Sequence, residues 1–215
     1  MFSGAIFDVD GTILDSMRVW EDMTARFLKK YGIELTAEMV DEFRNMTLEV
    51  SLPLIVSTYG LDINEGGVFE EFNRMAFEEY TERVPAKPGA AEYLRRLSDA
   101  GVKIAIATSG FPNACQGAFA RLGLAQYIDA YAFSSEVKVD KSNPDVYLLA
   151  AGRIGVKPAD CMVFEDILAG IKGAKLAGMQ TTAVYDLSNR AETDALKETA
   201  DRYITDWSEL DDFAV

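Results

Sequence analysis

Short apolar runs punctuate this chain at Ala5-Ile6-Phe7, Val102 to Ala107, Ala130 to Phe133, Met162-Val163-Phe164 and Thr182-Ala183-Val184, with a weaker one at Tyr203-Ile204. They are apolar at nearly every position rather than at every second one, so they read as strands buried on both faces. Between them the apolar residues recur at helical spacing, as at Tyr93, Leu94 and Leu97 or at Val146, Leu149 and Ile154. Strand alternating with helix predicts an α/β fold, a Rossmann-like parallel sheet core with helices on both faces. In such a sheet the ligand site lies beyond the carboxyl ends of the strands.

Between the first two runs the rhythm changes, and no strand pattern is convincing from Ser16 to Val84. Met17, Trp20, Met23, Phe27 and Tyr31 recur at helical spacing, as do Val68, Phe69, Phe72, Met75, Phe77 and Tyr80. Met39, Val40 and Phe43 suggest a shorter helix between them. The chain returns at Pro85-Ala86-Lys87-Pro88-Gly89, where two prolines and a glycine break any helix. The expected organisation is an α/β core of residues 1–15 and 85–215 with an inserted all-helical cap at 16–84.

Composition narrows the partners. A chain of 215 residues with 49% hydrophobic content can bury a real core. Its net charge of -14 sets the surface against phosphate backbones, so no nucleic acid is expected. No apolar run approaches the ~20 residues of a membrane span, so no membrane is expected either. Cys115 and Cys161 sit in apolar contexts, which argues for a reducing compartment. The first residues lack the pattern of a signal peptide, and the cytoplasm is the expected location. The chain has no histidine, which excludes histidine zinc sites and Ser-His-Asp triads. Acid–base work must fall to carboxylates, lysine, tyrosine or thiol.

The strongest chemical signal is Phe7-Asp8-Val9-Asp10-Gly11-Thr12 where the first strand ends. Residues two apart on a strand share a face, so Asp8 and Asp10 are expected to converge. Two carboxylates forced together need a cation or a shared proton. An EF-hand loop is excluded, because Ile13 and Val19 stand where its glycine and glutamate belong. Three further elements follow later strands. Thr108-Ser109-Gly110 offers a hydroxyl and backbone N–H groups for an anion, though it also fits an ordinary turn. Lys141 precedes the next helix and offers a cation, though a lone lysine is more often a surface charge. Glu165 and Asp166 end an apolar strand and suit a hard cation such as Mg²⁺, though Asp166 also fits a helix N-cap.

Together these four elements resemble the haloacid dehalogenase-like hydrolases, and within them the β-phosphoglucomutase-like phosphatases with a helical cap. The resemblance spans nearly the whole chain. It rests on Asp8-Val9-Asp10-Gly11-Thr12 with Asp15-Ser16, on Thr108, on Lys141, and on Glu165-Asp166 with Ala169-Gly170-Ile171, Ala174 and Ala177-Gly178-Met179. It implies Asp8 as a nucleophile that forms an aspartyl phosphate and Asp10 as the acid and base. It also implies Mg²⁺ on Asp8, the Asp10 backbone carbonyl and Asp166 with Glu165 close by, and Thr108, Ser109, Gly110 and Lys141 around the phosphoryl group. The implied substrate is a small phosphorylated metabolite, a sugar or organic-acid monoester. Leu48 and Phe111 stand where a mutase carries Arg and Lys, which favours hydrolysis over phosphate migration. The third motif, usually Gly-Lys-Pro in this family, reads Asp140-Lys141-Ser142 here, and Ile167 stands where Ser or Thr is common. A phosphomutase and a non-catalytic phosphate- or partner-binding protein are the alternatives. Arg18, Trp20 and Arg44, with Met17 and Glu21, are candidates for substrate selection.

Overall fold

The computed structural model describes residues 2–43, 46 and 48–210. Strand β1 (Gly4–Phe7) comes first, and among the described residues four helices follow: α1 (Met17–Lys29), α2 (Ala37–Phe43), α3 (Leu48–Tyr59) and α4 (Glu65–Glu82). Then come α5 (Ala90–Asp99), β2 (Lys103–Thr108), α6 (Pro112–Arg121), β3 (Ala130–Phe133), α7 (Ser134–Val137), α8 (Asp145–Ile154) and β4 (Cys161–Glu165). There follow α9 (Leu168–Leu176), β5 (Gln180–Val184), α10 (Thr193–Thr199) and β6 (Arg202–Ile204), with a 3-10 turn at Trp207–Leu210 after them. Each apolar run is a strand.

All strands are parallel in one sheet of order β3-β2-β1-β4-β5-β6. Strand alternation divides the core into two layers. Phe7, Ile106 and Phe164 face α5 and α6 with Tyr93, Leu94 and Phe119. Ile6, Ala105, Ala107 and Val163 face α8 and α9 with Val146, Ala150 and Ala174. Phe7 and Phe164 stack at 4.5 Å with planes 7° apart, and Trp207 and Tyr93 pack against them. Such an aromatic pair adds about 0.5–1.5 kcal/mol beyond its buried area.

The four helices between β1 and α5 bury a cluster of their own around Phe27, Leu52, Ile55, Val68 and Phe72. They also share the larger core, where Met23, Met75, Ala76 and Tyr80 pack with the sheet-side residues. Phe77, expected on the buried stripe of α4, is 43% exposed. It follows Val68 by about two and a half turns, which places it on the opposite side of the helix. Helix α3 holds Pro53, which cannot donate to the ladder, and its apolar residues show no single stripe. The two passages between sheet and helices run side by side. Asp15 N–H donates to Pro85 O at 3.0 Å and Lys87 N–H to Ile13 O at 2.7 Å. Among the described residues no helix is long and apolar enough to cross a membrane. Cys115 and Cys161 are buried free thiols.

Candidate active site

Parallel register brings the chemistry to one edge. Phe7 pairs with Ile106 on one side and Phe164 on the other, so Asp8, Thr108 and Glu165 emerge together at the carboxyl ends of adjacent strands. Asp8 N–H extends the ladder to Phe164 O at 2.9 Å, and then the backbone turns. Gly11 makes that turn at φ +81°, and a Cβ there would stand 2.3 Å from Asp166 Oδ2. Only glycine lets the loop cross Asp166 so closely.

The strand ends at Phe7, so both aspartates stand on the loop that follows it. Asp8 is bound to Lys141, while Asp10 Oδ1 accepts from Ser16 Oγ at 2.6 Å and from the Tyr80 hydroxyl. The two carboxylates are near enough for Asp10 to act on Asp8 through its charge, and each has hydrogen-bond partners of its own.

Asp8, Glu165 and Asp166 are buried and offer oxygens that all lie within 4.8 Å of one another. Lys141 is only 5% exposed and bonds both Asp8 and Glu165, the latter at 2.5 Å. A solvated surface lysine is thereby excluded. Glu165 also accepts from the Tyr147 hydroxyl at 2.9 Å and from Asp166 N–H at 3.1 Å, so both its oxygens are engaged. Asp166 accepts from Thr12 at 3.2 Å and from Asn189 at 2.5 Å. It does not cap α9, whose N-cap position is Ile167 and whose Leu168 N–H is taken by Glu192 at 2.9 Å. A Cβ on Gly170 would stand 2.4 Å from Glu165 Oε1, so α9 passes tightly over this acid.

Electrostatics follow from this burial. Desolvation pushes the Asp8 carboxyl up, Lys141 opposes it and Asp10 adds to it, leaving it above the ordinary value. Glu165 is raised in the same way, by burial first and with the charge of Asp8 added. Asp166 is held well above the carboxylate range by burial and then by the charges of Asp8 and Glu165. Burial alone would lower Lys141, but Asp8 and Glu165 outweigh it and raise it. An all-oxygen set with more negative charge than one ammonium can balance suits a hard divalent cation. Asn189, which donates to Asp166, keeps its own Oδ1 buried without a donor among the described residues. The residues present therefore fit a cation such as Mg²⁺.

Thr108 ends β2 buried, and its Oγ1 accepts from Gly110 N–H at 3.0 Å. Its own proton has no acceptor among the described residues. The Ser109 hydroxyl meets that of Ser134 at 2.9 Å. Beside this turn lies a cavity of about 210 Å³ with Asp10, Ser109 and Gly110 on one side. Met17, Trp20, Glu21 and Thr24 line it from α1, and Leu48, Leu52 and Ile55 from α3. Trp20 stacks on Phe111 at 6.2 Å and 27°. Arg18 is exposed and stands off this lining, because the α1 face at positions 17, 20, 21 and 24 leaves it outside. Arg44 lies outside the described residues.

Sequence reading passed over Tyr80, Tyr147 and Asn189. Tyr80 counted as one more apolar residue of a helical stripe, and its hydroxyl is invisible to periodicity. Asn189 carries no local signal at all.

The model of the haloacid dehalogenase-like hydrolases matches residues 2–178. A phosphorylated carbohydrates phosphatase of Thermotoga maritima is 30% identical over 179 residues, 81% of this chain and 81% of that protein. Hexitol phosphatase A of Escherichia coli is 31% identical over 183 residues, 84% of this chain and 82% of the relative. The crystal structure of CbbY from Rhodobacter sphaeroides in complex with phosphate shares the fold, with a TM-score of 0.88, 22% identity and coverage of 98% of this chain and 96% of that one. The chain belongs to the haloacid dehalogenase-like hydrolase family.

Proposed function

We propose that this phosphoric monoester hydrolase acts on small phosphorylated metabolites through an aspartyl phosphate formed on Asp8. The observation that carries the reading is the buried set of Asp8, Glu165 and Asp166 closed by Lys141 at the carboxyl edge of a parallel sheet. Asp8 attacks phosphorus as Asp10 gives a proton to the departing ester oxygen. Water then attacks the acyl phosphate and gives a proton to Asp10, and the Asp8–phosphate bond breaks to release inorganic phosphate. Lys141 and the Thr108 hydroxyl hold phosphoryl oxygens, with the Ser109–Gly110 turn beside them. Asp8, Asp166 and the Asp10 carbonyl would hold Mg²⁺, which would supply positive charge to offset repulsion between phosphate and carboxylate. Glu165, its oxygens already engaged, anchors Lys141 beside that ion.

Residues 16–84 serve as a helical cap over the α/β core of 1–15 and 85–215, and the cavity between them receives the leaving group. The relatives named for phosphorylated carbohydrates and hexitols point to sugar and polyol monophosphates. Leu48 on the cavity wall and Phe111 against Trp20 offer no charge to a second phosphate, which supports water as the acceptor.

Phosphate release from a panel of sugar and polyol monophosphates tests this, with wild type and Asp8→Asn compared in Mg²⁺. Mg²⁺-dependent release by wild type alone is expected. Release no greater than that of Asp8→Asn across the panel would leave the non-catalytic alternative. Migration of phosphate within the sugar, read by ³¹P NMR, would make the protein a mutase.

A further inference from the structure

The indole of Trp20 is a hydrogen-bond donor only, and its Nε1 gives to the Tyr80 hydroxyl oxygen at 2.8 Å. The hydrogen of Tyr80 is therefore free for its other neighbour, Asp10 Oδ1, with which it is paired. Ser16 donates to the same oxygen at 2.6 Å. An oxygen that receives two hydroxyl donors serves as an acceptor, so a proton carried by Asp10 sits on Oδ2. That second oxygen has no donor among the described residues. It lies 3.2 Å from where a Cβ on Gly110 would stand, facing the turn that borders the cavity.

We infer that Tyr80, held by Trp20, is a positioning residue that anchors Asp10 through Oδ1 and so presents Oδ2 as the proton-carrying oxygen to the substrate. Trp20 stands on the cavity wall and is stacked on Phe111, so a leaving group resting against the indole steadies the ring. The order passes through Nε1 and the Tyr80 hydroxyl to the carboxylate. Cavity filling and acid–base geometry are thereby joined by two hydrogen bonds that cross from α1 to α4 to the loop after β1. Neither side chain exchanges a proton with substrate. Proton transfer runs from Asp10 Oδ2 to the ester oxygen as its bond to phosphorus breaks, and from water to Oδ2 in the second step.

This inference rests on the phosphatase reading, and the test separates the two. Release of phosphate is measured from a hexitol phosphate, whose alkoxide must be protonated as it leaves, and from p-nitrophenyl phosphate, whose leaving group needs little help. Wild type is compared with Tyr80→Phe and with Trp20→Phe, which keeps a ring but loses Nε1–H. Tyr80→Phe should lower kcat on the hexitol phosphate about 10-fold to 100-fold, a share of the ~10²–10⁴-fold that a general acid contributes. The fall on the aryl ester should be several times smaller, with KM for each ester little moved. Trp20→Phe should shift the same ratio in the same direction by less, and it decides the matter if Tyr80→Phe does not fold. Equal falls on both esters, an unchanged ratio or an effect confined to KM would overturn the relay while leaving the phosphatase reading intact. Wild type inactive on both esters would remove that reading and the relay with it.

Discussion

The main-chain oxygen of Lys141 lies 2.0 Å from where a Cβ on Gly173 would stand, so α9 and the lysine loop meet with no room for a side chain. Backbone cannot rotate away as a flexible side chain can. Gly173→Ala should therefore displace the loop that carries Lys141 and destabilise the fold by about 1–3 kcal/mol, as overpacking does. Phosphate release should fall with it. Urea denaturation and turnover measured together check this, and wild-type values for both would contradict the contact.

Asp8→Asn should separate stability from activity. The amide still accepts from Lys141 but removes a negative charge that burial and Asp10 disfavour. Turnover should vanish while the melting temperature in metal-free buffer stays level or rises. A clear fall in melting temperature would show that the charged form of Asp8 stabilises the fold.

Lys141→Met leaves Asp8 and Glu165 buried without their cation. Breaking a buried pair in this way costs roughly 3–5 kcal/mol. The loss should appear in denaturant midpoints as well as in turnover, and a variant as stable as wild type would mean that Lys141 is energetically idle.

Metal binding has a readout apart from activity. A cation that binds only the folded state at about 100 times its Kd adds about 2.7 kcal/mol. Mg²⁺ should thus raise the melting temperature of wild type and do so far less for Asp166→Asn, which removes one of the clustered oxygens. Chelator should abolish turnover, and Mg²⁺ should restore it. Equal shifts in the two proteins would place the ion elsewhere.

Acid sensitivity should run partly through Asp186. Burial pushes its carboxyl up, but hydrogen bonds from Lys87 and Ser188 and the charge of Lys87 outweigh it, leaving the folded pKa below the ordinary value. The unfolded chain then binds more protons in acid. The stabilisation is full above the unfolded pKa of about 3.9 and is lost as pH falls through the lower folded value. Asp186→Asn should be less stable than wild type near neutrality, and the gap should narrow as pH falls below the unfolded pKa of about 3.9. Urea midpoints across that range decide it; a gap independent of pH would assign the effect to packing.

Fold class and strand positions were legible because they are local. A run such as Ala5-Ile6-Phe7 is buried on both faces wherever it sits, and strand–helix alternation leaves one economical parallel topology. The placing of Asp8, Thr108, Lys141 and Glu165 at one edge followed from the same logic, since Thr108 and Glu165 end strands, Asp8 follows one and Lys141 precedes the next long helix. Phe77 misled because its position on the helical wheel is fixed only when the buried face is known.

What the sequence by itself determined was the sheet, the helical interval and which residues stand at the carboxyl ends of the strands. Only the tertiary structure decided that Asp10 turns to Tyr80 while Asp8 turns to Lys141, that Asn189 reaches Asp166, that Gly173 makes room for the lysine loop and that Arg18 stays off the cavity lining. The reason is physical. Secondary structure answers to the spacing of apolar side chains along a few turns. A hydrogen bond between residues seventy positions apart, such as Tyr80 to Asp10, depends on how whole elements pack and leaves no mark on either neighbourhood.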